Sequence, residues 1–505
     1  MDLSPTVAAT DLAALAPVPP RLSAPFLEHY GLLPIAICGG TLRVASWHDT
    51  PDAQALDDLA LLCDARVVVE HGTEPALRAA IHRVYGSEST AQGVIDSLGG
   101  DGAADSVFAG RALDDLVTQA NEAPVVRLVN LLLLEALQAR ASDVHLEAYA
   151  GRLRVRYRVD GVLQEAPSPP PALAAAVVSR LKIMAELDIA ERRVPQDGRI
   201  RLRLQERPVD VRVSTVPTLH GESVVLRLLD KARGRIDLTG LGMADETLAR
   251  FRAAIARPHG IVLATGPTGS GKTTTLYAAV DVLRTGREKI LTVEDPVEYE
   301  LAGVPQVPVH EKSGVTFASA LRALLRQDPD VMLVGEIRDG ETAAIATQAA
   351  LTVHMVLSTL HTNDAAGALT RLRELGIEAY LVASTVEAVL AQRLVRVVCD
   401  TCGGRMATDE ASLVALGATR AELPEVRRGR GCDECRGSGY RGRVGIYELL
   451  GMDEPLRKAL LAGADASELR RLALAGGMRT LRDDGRRLVA AGVTTPEEVE
   501  RVTSA

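Results

Sequence analysis

The sequence is poor in aromatic residues, lysine and long apolar runs, and these shortages exclude several classes of protein. Aromatic residues make up 3% of the 505 residues, so the stacked aromatic platforms that bind single-stranded nucleic acid would be hard to build. The formal net charge of −9 also disfavours broad attraction to nucleic acid or anionic lipid. The most apolar stretches, such as NLLLLEAL, are far shorter than the roughly 20 residues of a membrane-spanning helix.

Lysine contributes only six of the 57 basic residues, and the other 51 are arginine. We interpret the arginine excess as compositional bias, which weakens an argument from any single arginine and strengthens one from a lysine within a motif. The first residues contain no basic segment ahead of an apolar run, so no secretory signal is predicted. We therefore expect a cytoplasmic protein in which any membrane contact runs through a partner protein.

The chain is too long for one hydrophobic core, so several domains are expected. Alternating helix and strand patterns predict, in chain order, a small α/β module, a flexible linker of small polar residues, an α+β domain and an α/β core. A cysteine-bearing segment and a helical end follow. Their predicted bounds are 1–86, 87–120, 121–240, 241–395, 396–445 and 446–505. Both a structural role and an adaptor role remain open for the first module.

The stretch ATGPTGSGKTTTLY, residues 264–277, predicts a phosphate-binding loop. Its glycines let the backbone curl so that successive N–H groups point inward, while Lys272 offers a charge to the outer phosphates and Thr273 a hydroxyl to Mg²⁺. An apolar run precedes the stretch and a helical pattern follows it, which is the required context. The residues expected to bind nucleotide are Gly266, Pro267, Thr268, Gly269, Ser270, Gly271, Lys272, Thr273 and Thr274.

Three further apolar strands end in polar groups at Glu294 and Asp295, at Glu336, and at His361. Because ligands of open α/β sheets lie beyond the carboxyl ends of the strands, we expect these side chains to converge on the phosphates. Glu336 is the predicted residue that orients the attacking water. Glu294 and Asp295 are candidates for holding Mg²⁺ or its waters, and His361 for contacting the γ-phosphate. A single carboxylate would fit a helix N-terminal charge equally well, but the shared position favours catalysis.

Lys272 is the one evident cation of this predicted site, so the transition-state charge calls for an arginine from another domain or subunit. Arg212 and Arg227 lie on predicted strands of the second domain. Arg322 and Arg326 fall one helical turn apart on one face. Each arginine alone is typical of a solvated surface, so their role in closing the site is a hypothesis.

Four of the six cysteines form two C-x-x-C pairs, Cys399 with Cys402 and Cys432 with Cys435. This spacing lets the two thiolates of a pair reach one metal ion. Four thiolates without a nearby histidine favour a closed, structural Zn²⁺ site over redox pairs. The basic flanking sequence is consistent with nucleic-acid binding and with a solvated loop.

Taken in order, the motifs resemble those of the secretion assembly ATPases, specifically the type II secretion branch. The resemblance extends from about Gly31 to the C-terminus, and it implies a RecA-like ATPase domain preceded by a PAS-like α+β domain and a small α/β adaptor module. ATP, Mg²⁺ and Zn²⁺ are the implied cofactors. The supporting motifs are ASDVHLE, VPQDGRI, VDVRVST, GPTGSGKTTTLY, TVEDPVEY, RQDPDVMLVGEIRD, LSTLHTNDA and the paired cysteines.

The same resemblance implies roles for single residues. It makes TVEDPVEY the Asp box, Glu336 the catalytic carboxylate of an atypical Walker B motif, and VHMVLSTLH the His box. Val353 stands where the family usually has glycine, and a β-branched residue does not easily take a positive φ, so the role of His354 is left open. The arginines implied to approach a nucleotide, in the same or a neighbouring subunit, are Arg212, Arg227, Arg322, Arg326 and Arg443.

The resemblance also implies a homohexameric ring whose closure drives assembly of a pilus-like filament at the inner membrane. The N-terminal module would dock on the cytoplasmic domain of an inner-membrane secretion-system protein, and an inner-membrane platform protein is a second expected partner. Two alternatives remain: a pilus-extension motor of the same superfamily and a RecA-like DNA translocase that grips through the zinc segment. The net charge of −9 and the few aromatic residues argue against nucleic acid as a partner.

Overall fold

The computed structural model describes residues 24–63, 65–85, 91–92, 95, 123–204, 207–230, 236–352 and 354–504. The chain divides into two compact units, Met1–Ala232 and Arg233–Ala505. The predicted linker at 87–120 lies almost wholly outside the described residues.

The N-terminal module is a three-stranded sheet packed against helices. Strands β1 and β2 are antiparallel, and β3 joins β2 in parallel because α2 crosses between them. Leu27, Leu33, Leu59 and Ile81 are fully buried in one core, which confirms the predicted α/β module. Its elements are α1 (Ala24–Tyr30), β1 (Leu32–Cys38), β2 (Thr41–Ser46), α2 (Ala53–Cys63), β3 (Arg66–His71) and α3 (Glu74–Tyr85).

The second domain is an antiparallel sheet of order β6-β5-β4-β9-β8-β7 with helices packed on it. On β5, Leu153, Val155 and Tyr157 are buried, and the Tyr157 hydroxyl donates to the Leu132 carbonyl of α4 at 2.9 Å. The intervening arginines pair with acidic residues of neighbouring strands, so the predicted half-buried strand is confirmed. The elements are α4 (Ala123–Gln138), β4 (Ala141–Tyr149), β5 (Arg152–Val159), β6 (Val162–Ala166), α5 (Ala174–Met184), β7 (Gln196–Leu204), β8 (Arg207–Thr218) and β9 (Gly221–Asp230).

Ala91 shows that part of the predicted linker is held in place. It is buried in the core of the second domain, and its N–H donates to Glu135 Oε1 of α4 at 2.8 Å. At this position the prediction of a flexible linker is wrong, because one small apolar residue in a polar stretch is enough to fill a gap beside a helix.

The second unit is built on a seven-stranded sheet of order β12-β11-β13-β14-β10-β15-β18. All neighbours are parallel except β15 and β18, and the central strands are buried on both faces, as expected of a helix-covered parallel sheet. Ile261 and Leu263 of β10 belong to one core and Val262 and Ala264 to the other. The elements up to β14 are α6 (Asp245–Ile255), β10 (Gly260–Thr265), α7 (Lys272–Leu283), β11 (Ile290–Glu294), β12 (Gln306–Pro308), α8 (Phe317–Leu324), β13 (Val331–Val334), α9 (Gly340–Leu351) and β14 (Met355–Leu360).

The sheet continues beyond the predicted core bounds of 241–395. Strand β15 runs to Val398 and pairs antiparallel with β18, which begins at Tyr440, so the cysteine-bearing segment is an insertion between two strands of one sheet. The pairing runs from Val398 with Tyr440 to Ala388 with Gly451, and no local pattern displays contacts between residues so far apart in the sequence. The remaining elements are α10 (Ala365–Glu374), α11 (Ala379–Thr385), β15 (Val386–Val398), β16 (Gly403–Ala407), α12 (Glu410–Leu416), β17 (Glu425–Gly429), β18 (Tyr440–Gly451), α13 (Glu454–Leu461), α14 (Ala466–Ala475), α15 (Leu481–Ala490) and α16 (Pro496–Thr503).

Glu498 joins the last helix to the sheet. It is 2% exposed, and its two oxygens accept from the Arg396 backbone N–H and guanidinium at 3.0 and 2.6 Å, and from Arg501 at 3.0 and 2.8 Å. Burial alone would raise the pKa of Glu498, but the hydrogen bonds from Arg501 and Arg396 outweigh it and lower the pKa to about 2. The predicted helical C-terminus is therefore fastened to β15 by a buried carboxylate.

The Glu498 network predicts a pH-dependent contribution to stability. Because the folded-state pKa lies below the ordinary value of 4.5, the ionised carboxylate favours the folded state above that pH, and this contribution is lost as the pH falls towards 2. We expect Glu498→Gln to lower the free energy of unfolding at pH 7 by about 3 kcal/mol, since a largely buried arginine loses its partner. Urea unfolding at pH 7 and pH 3 measures both effects.

A matched control is Glu468→Gln, which breaks an exposed pair with Arg471 and should cost less than about 1 kcal/mol. An equal loss of stability in Glu498→Gln at pH 7 and pH 3 would contradict the assignment.

Candidate active site and metal centre

The phosphate loop joins the end of β10 at Thr265 to the start of α7 at Lys272. Gly266, Gly269 and Gly271 have φ angles of 148°, 79° and 87°, a region in which other residues are strained. A Cβ on Gly266 would lie 2.5 Å from the Gln392 carbonyl oxygen. The loop is therefore packed so closely against β15 that glycine is required where it begins.

Lys272 lies within this loop and is 8% exposed. Its Nζ donates to the Gly266 and Pro267 carbonyls at 2.7 and 3.1 Å. Burial lowers the pKa of Lys272 to about 8, while the charge of Glu336 opposes that shift. The ammonium group is thus buried against the backbone that would surround a phosphate.

The loop also carries two hydroxyl groups suited to a nucleotide and its metal ion. Ser270 Oγ is buried and has no hydrogen-bond partner among the residues that the structure describes, as is typical where a ligand completes the bonding. Thr273 is exposed in the first turn of α7, where the helix N-terminus favours negative charge. These residues fit a Mg²⁺-bound nucleoside triphosphate.

Glu336 and His361 follow the ends of β13 and β14 and meet at the edge of the sheet. His361 Nε2 lies 3.4 Å from Glu336 Oε2, and Arg338 donates to Glu336 Oε1 at 2.5 Å. A second guanidinium nitrogen of Arg338 lies 4.0 Å from Asp295 Oδ2. Burial would raise the pKa of Glu336, but the hydrogen bond and charge of Arg338 lower it below its ordinary value. Glu336 is therefore ionised at neutral pH.

Arg338 is a site residue that the sequence reasoning missed. The expectation that Lys272 is the one evident cation here is wrong, because Arg338 contacts Glu336 directly. Its position two residues after Glu336 in GEIRD was the available signal. Because the chain contains 51 arginines, the position of any single arginine was weak evidence for a role.

Glu294 is held inside the sheet. It is 3% exposed, and its oxygens accept from Thr292 at 2.5 Å, from Gln306 at 3.0 Å and from the Tyr277 hydroxyl. Burial, together with Glu294, raises the pKa of Tyr277 well above its ordinary value, so the phenol remains a donor. Glu294 thus links α7 to β11 and β12, and its role with Mg²⁺ stays a prediction.

His354 lies at the opposite end of β14 from His361. Its Nδ1 is 3.0 Å from the Ala349 carbonyl oxygen and 3.3 Å from the Thr352 hydroxyl, so it contacts the C-terminal end of α9. Val353, the β-branched residue that left the role of His354 open, lies outside the described residues. The six residues of β14 separate this histidine from Glu336 and its neighbours.

Arg212 and Arg227 are directly opposite each other in the pairing of β8 and β9. Arg227 Nε lies 3.1 Å from Asp143 Oδ1. Both arginines belong to the first unit, and their approach to the nucleotide stays a prediction.

The arginines predicted to act in a ring are exposed on the second unit. Arg326 donates to the Arg322 carbonyl at 2.9 Å and Arg322 to Glu341 Oε1 at 2.6 Å, which confirms that the two arginines share a face. Arg443 lies on β18, opposite Arg396 of β15. Their contacts with nucleotide in this or a neighbouring subunit stay predictions.

The four clustered cysteines form a compact thiol group. Their Sγ atoms lie within 4.8 Å of one another, and the pairs Cys399 with Cys432, Cys402 with Cys435 and Cys432 with Cys435 are separated by 3.9, 3.8 and 3.7 Å. Tetrahedral Zn²⁺ with bonds of about 2.3 Å places its sulfurs about 3.8 Å apart, whereas a disulfide requires about 2.05 Å. The geometry fits a tetrathiolate zinc centre.

Backbone N–H groups support a thiolate at this centre. Those of Cys432 and Gly439 each donate to Cys435 Sγ at 3.2 Å. Burial opposes ionisation, but these donors lower the pKa of Cys435 to about 6. Metal ligation requires that ionised form.

The fold and the site together define the chain as a phosphate-loop nucleoside triphosphatase. Residues 118–501 match the profile of the Type II/IV secretion system protein family, and residues 2–91 match that of the MshEN domain. The chain belongs to the Type II/IV secretion system protein family and is an ATPase of that family. No helix among the described residues is both long enough and apolar enough to cross a membrane.

Curated relatives identify the branch. The chain is 48% identical to Type II secretion system protein E of Pseudomonas aeruginosa over 98% of both chains. It is 44% identical to Type II secretion system ATPase E of Vibrio cholerae, over 93% of this chain and 96% of that one. Identity to the type IV pilus assembly ATPase PilB of Myxococcus xanthus is 45%, over 94% and 84%. The resemblance to the type II secretion branch is confirmed.

Solved structures agree on the fold. The ATPase DotB of Legionella pneumophila aligns with a TM-score of 0.56 at 21% identity, over 79% of this chain and 99% of that one. The pilus retraction motor PilT, solved with bound ADP, aligns with a TM-score of 0.51 at 25% identity, over 74% and 97%.

The first prediction for this site concerns turnover. Lys272→Ala removes the phosphate-binding charge and Glu336→Gln removes the carboxylate that would orient water, so each should lower the rate of ATP hydrolysis by at least about 10²-fold. Phosphate release measures the rate, and thermal unfolding checks that the fold is intact. Glu374→Gln is the control, because that exposed carboxylate pairs with Arg371 on the surface of α10. Wild-type turnover in folded Glu336→Gln would remove Glu336 from this role.

The second prediction concerns the metal. Purified protein should contain about one zinc ion per chain, and the Cys432→Ser/Cys435→Ser double variant should lose that zinc and unfold at a lower temperature. Elemental analysis and thermal unfolding measure the two effects. Cys38→Ser, at an exposed cysteine of β1, should change neither. Purified wild-type protein without zinc, together with a double variant that is as stable as the wild type, would contradict the assignment of a zinc centre.

Proposed function

We propose that this ATPase powers assembly of the pseudopilus, and thereby the export of folded proteins, in a type II secretion system. The observation that supports the proposal is that similarity to type II secretion system protein E extends over nearly the whole chain, including the N-terminal module. A separate module of this kind suits a motor that is recruited to one particular machine.

The residues of the site have distinct roles in the proposed hydrolysis. Lys272 and the N–H groups of the phosphate loop hold the outer phosphates. Thr273 would bind Mg²⁺, which would neutralise charge on the phosphates. Glu336 accepts a hydrogen bond from the attacking water, and Arg338 fixes the direction of the carboxylate. His361, beside Glu336, contacts the γ-phosphate.

Asp295 and Glu294 complete the proposed metal environment. Asp295 is exposed near Arg338, so its carboxylate is suited to hold waters of the Mg²⁺ ion. Glu294 is buried among three donors and acts on the metal through the position of α7.

The arginines of other domains and subunits complete the proposed site when the motor closes. Arg212 and Arg227 come from the second domain, and Arg322, Arg326 and Arg443 act within a ring of six subunits. Because charge stabilisation is complete only once these groups join Lys272, closure and hydrolysis are coupled. The mechanical output is this closing motion, passed from subunit to subunit.

The proposed partners are proteins of the inner membrane. The N-terminal module docks on the cytoplasmic domain of an inner-membrane secretion-system protein, and the ring acts on a membrane platform protein. The motor is therefore cytoplasmic and peripherally attached to the inner membrane. The tetrathiolate zinc stiffens the insertion between β15 and β18, and no nucleic acid takes part.

A gene deletion in the source bacterium tests the proposal. Secreted enzymes should disappear from the medium and accumulate in the periplasm, while pilus-dependent motility is retained. A plasmid copy of the wild-type gene should restore secretion, and the Glu336→Gln copy should not. Lost motility with normal secretion would instead support pilus extension, which the similarity to PilB keeps as the second candidate. Strong stimulation of ATP hydrolysis by single-stranded DNA would contradict both.

A further inference from the structure

Gln392 of β15 contacts both ends of the phosphate loop. Its carbonyl oxygen lies against Gly266 at the start of the loop, where a Cβ would approach to 2.5 Å. Its side-chain Oε1 accepts from the Thr275 hydroxyl of α7 at 2.7 Å, and its Nε2 would lie 2.8 Å from a Cβ on Gly271. Strand β15 therefore forms the wall on which the loop is shaped.

The next residue, Arg393, extends that wall to a second loop. Its guanidinium donates to the Gln392 carbonyl at 3.1 Å and to the Asn363 carbonyl at 2.8 Å, and one of its nitrogens would lie 3.0 Å from a Cβ on Gly266. Asn363 is two residues after His361. One buried side chain, 6% exposed, thus reaches both the start of the phosphate loop and the segment that carries His361.

The carboxylates nearest to this guanidinium are engaged by other donors. Asp364 Oδ2 accepts from Arg470 at 2.8 Å, and Glu448 Oε1 accepts from the Ala365 N–H at 3.0 Å. Burial lowers the pKa of Arg393, and the negative charges of Glu448 and Asp364 oppose that shift. Arginine retains its charge in such a place, so a permanent cation lies beside the loop that binds an anion.

We infer that Arg393 is a positioning residue for ATP hydrolysis, which fixes the phosphate loop relative to His361 and places a second buried positive charge beside Lys272. The inference rests on ATP hydrolysis at this site and is independent of the proposed role in secretion. Lysine cannot replace the planar fork that bonds two carbonyls at once. A misplacement of about 1 Å between reacting groups lowers turnover by about 10²-fold.

Two variants separate geometry from charge. Arg393→Met keeps an apolar stem and removes both, whereas Arg393→Lys keeps the charge and loses the bridge. We expect kcat to fall by about 10²-fold in both variants, with a smaller change in KM, because the phosphate loop still holds nucleotide through Lys272. Arg373→Met is the matched control, since that arginine, near the C-terminal end of α10, also donates to a backbone carbonyl, that of Ala464 at 2.9 Å, but bridges no two loops of the site. Its kcat should equal that of the wild type.

The split between kcat and KM provides a readout that a loss of nucleotide binding would not produce, because kcat should fall by much more than KM changes. Lys272→Ala, which should be inactive, shows that the measured hydrolysis belongs to this site.

The inference is overturned by a folded Arg393→Met enzyme with the wild-type kcat. If thermal unfolding shows that Arg393→Met is not folded, Arg393→Lys decides: a wild-type kcat in that variant excludes the bridge, and a reduced kcat in a folded enzyme supports it.

Discussion

The ATPase unit depends on one close contact, that of the phosphate loop with β15. Strand β10 pairs in parallel with β15 up to Thr265 and Ala391. The residue after Thr265 is Gly266, which begins the phosphate loop, and the residue after Ala391 is Gln392. The carbonyl of Gln392 fills the space that a side chain on Gly266 would occupy. The shape of the anion-binding backbone is therefore set by a neighbouring strand, and the glycines of the motif are the residues that permit this approach.

The charges of the site follow from that arrangement. Lys272 is turned inward and buried, Glu336 is kept ionised by Arg338, and His361 lies beside it at the same edge of the sheet. In a partly buried site such pairs act more strongly than in water. Arg212 and Arg227, which are proposed to complete the charge, belong to the first unit. In the proposed mechanism the hydrolytic groups and these two arginines are therefore on different units.

The cysteine-bearing insertion and the C-terminal helices lie at the far end of the same sheet. Strand β15 carries Arg393 beside the phosphate loop and Arg396 on Glu498, and Cys399 of the thiol cluster directly follows it, so one continuous segment connects the nucleotide site to the cysteine cluster. The insertion leaves the sheet after Val398 and returns to it at Tyr440. A metal bound by the four thiols would cross-link both ends of the insertion and hold these two strands in register.

The amino-acid sequence was enough to predict the phosphate loop, the strands that lead to Glu294, Glu336 and His361, and the grouping of four cysteines. These features are local, because turn-forming glycines, apolar strands and C-x-x-C spacing act within a few residues of one another. The helical C-terminus and the N-terminal α/β module were predictable for the same reason. The sequence did not show which arginines belong to the site, since so abundant a residue type does not mark particular positions.

Which of the side chains meet depends on the packing of distant segments, and the sequence does not show it. Contacts between residues distant in sequence placed β18 beside β15, Tyr277 on Glu294 and Arg393 between the two loops, and none of these has a local pattern. His354 and His361 lie at opposite ends of β14, although both belong to one short motif. Because a strand is extended, its two ends lie at opposite sides of the sheet, and residues only a few positions apart in the sequence are far apart in space.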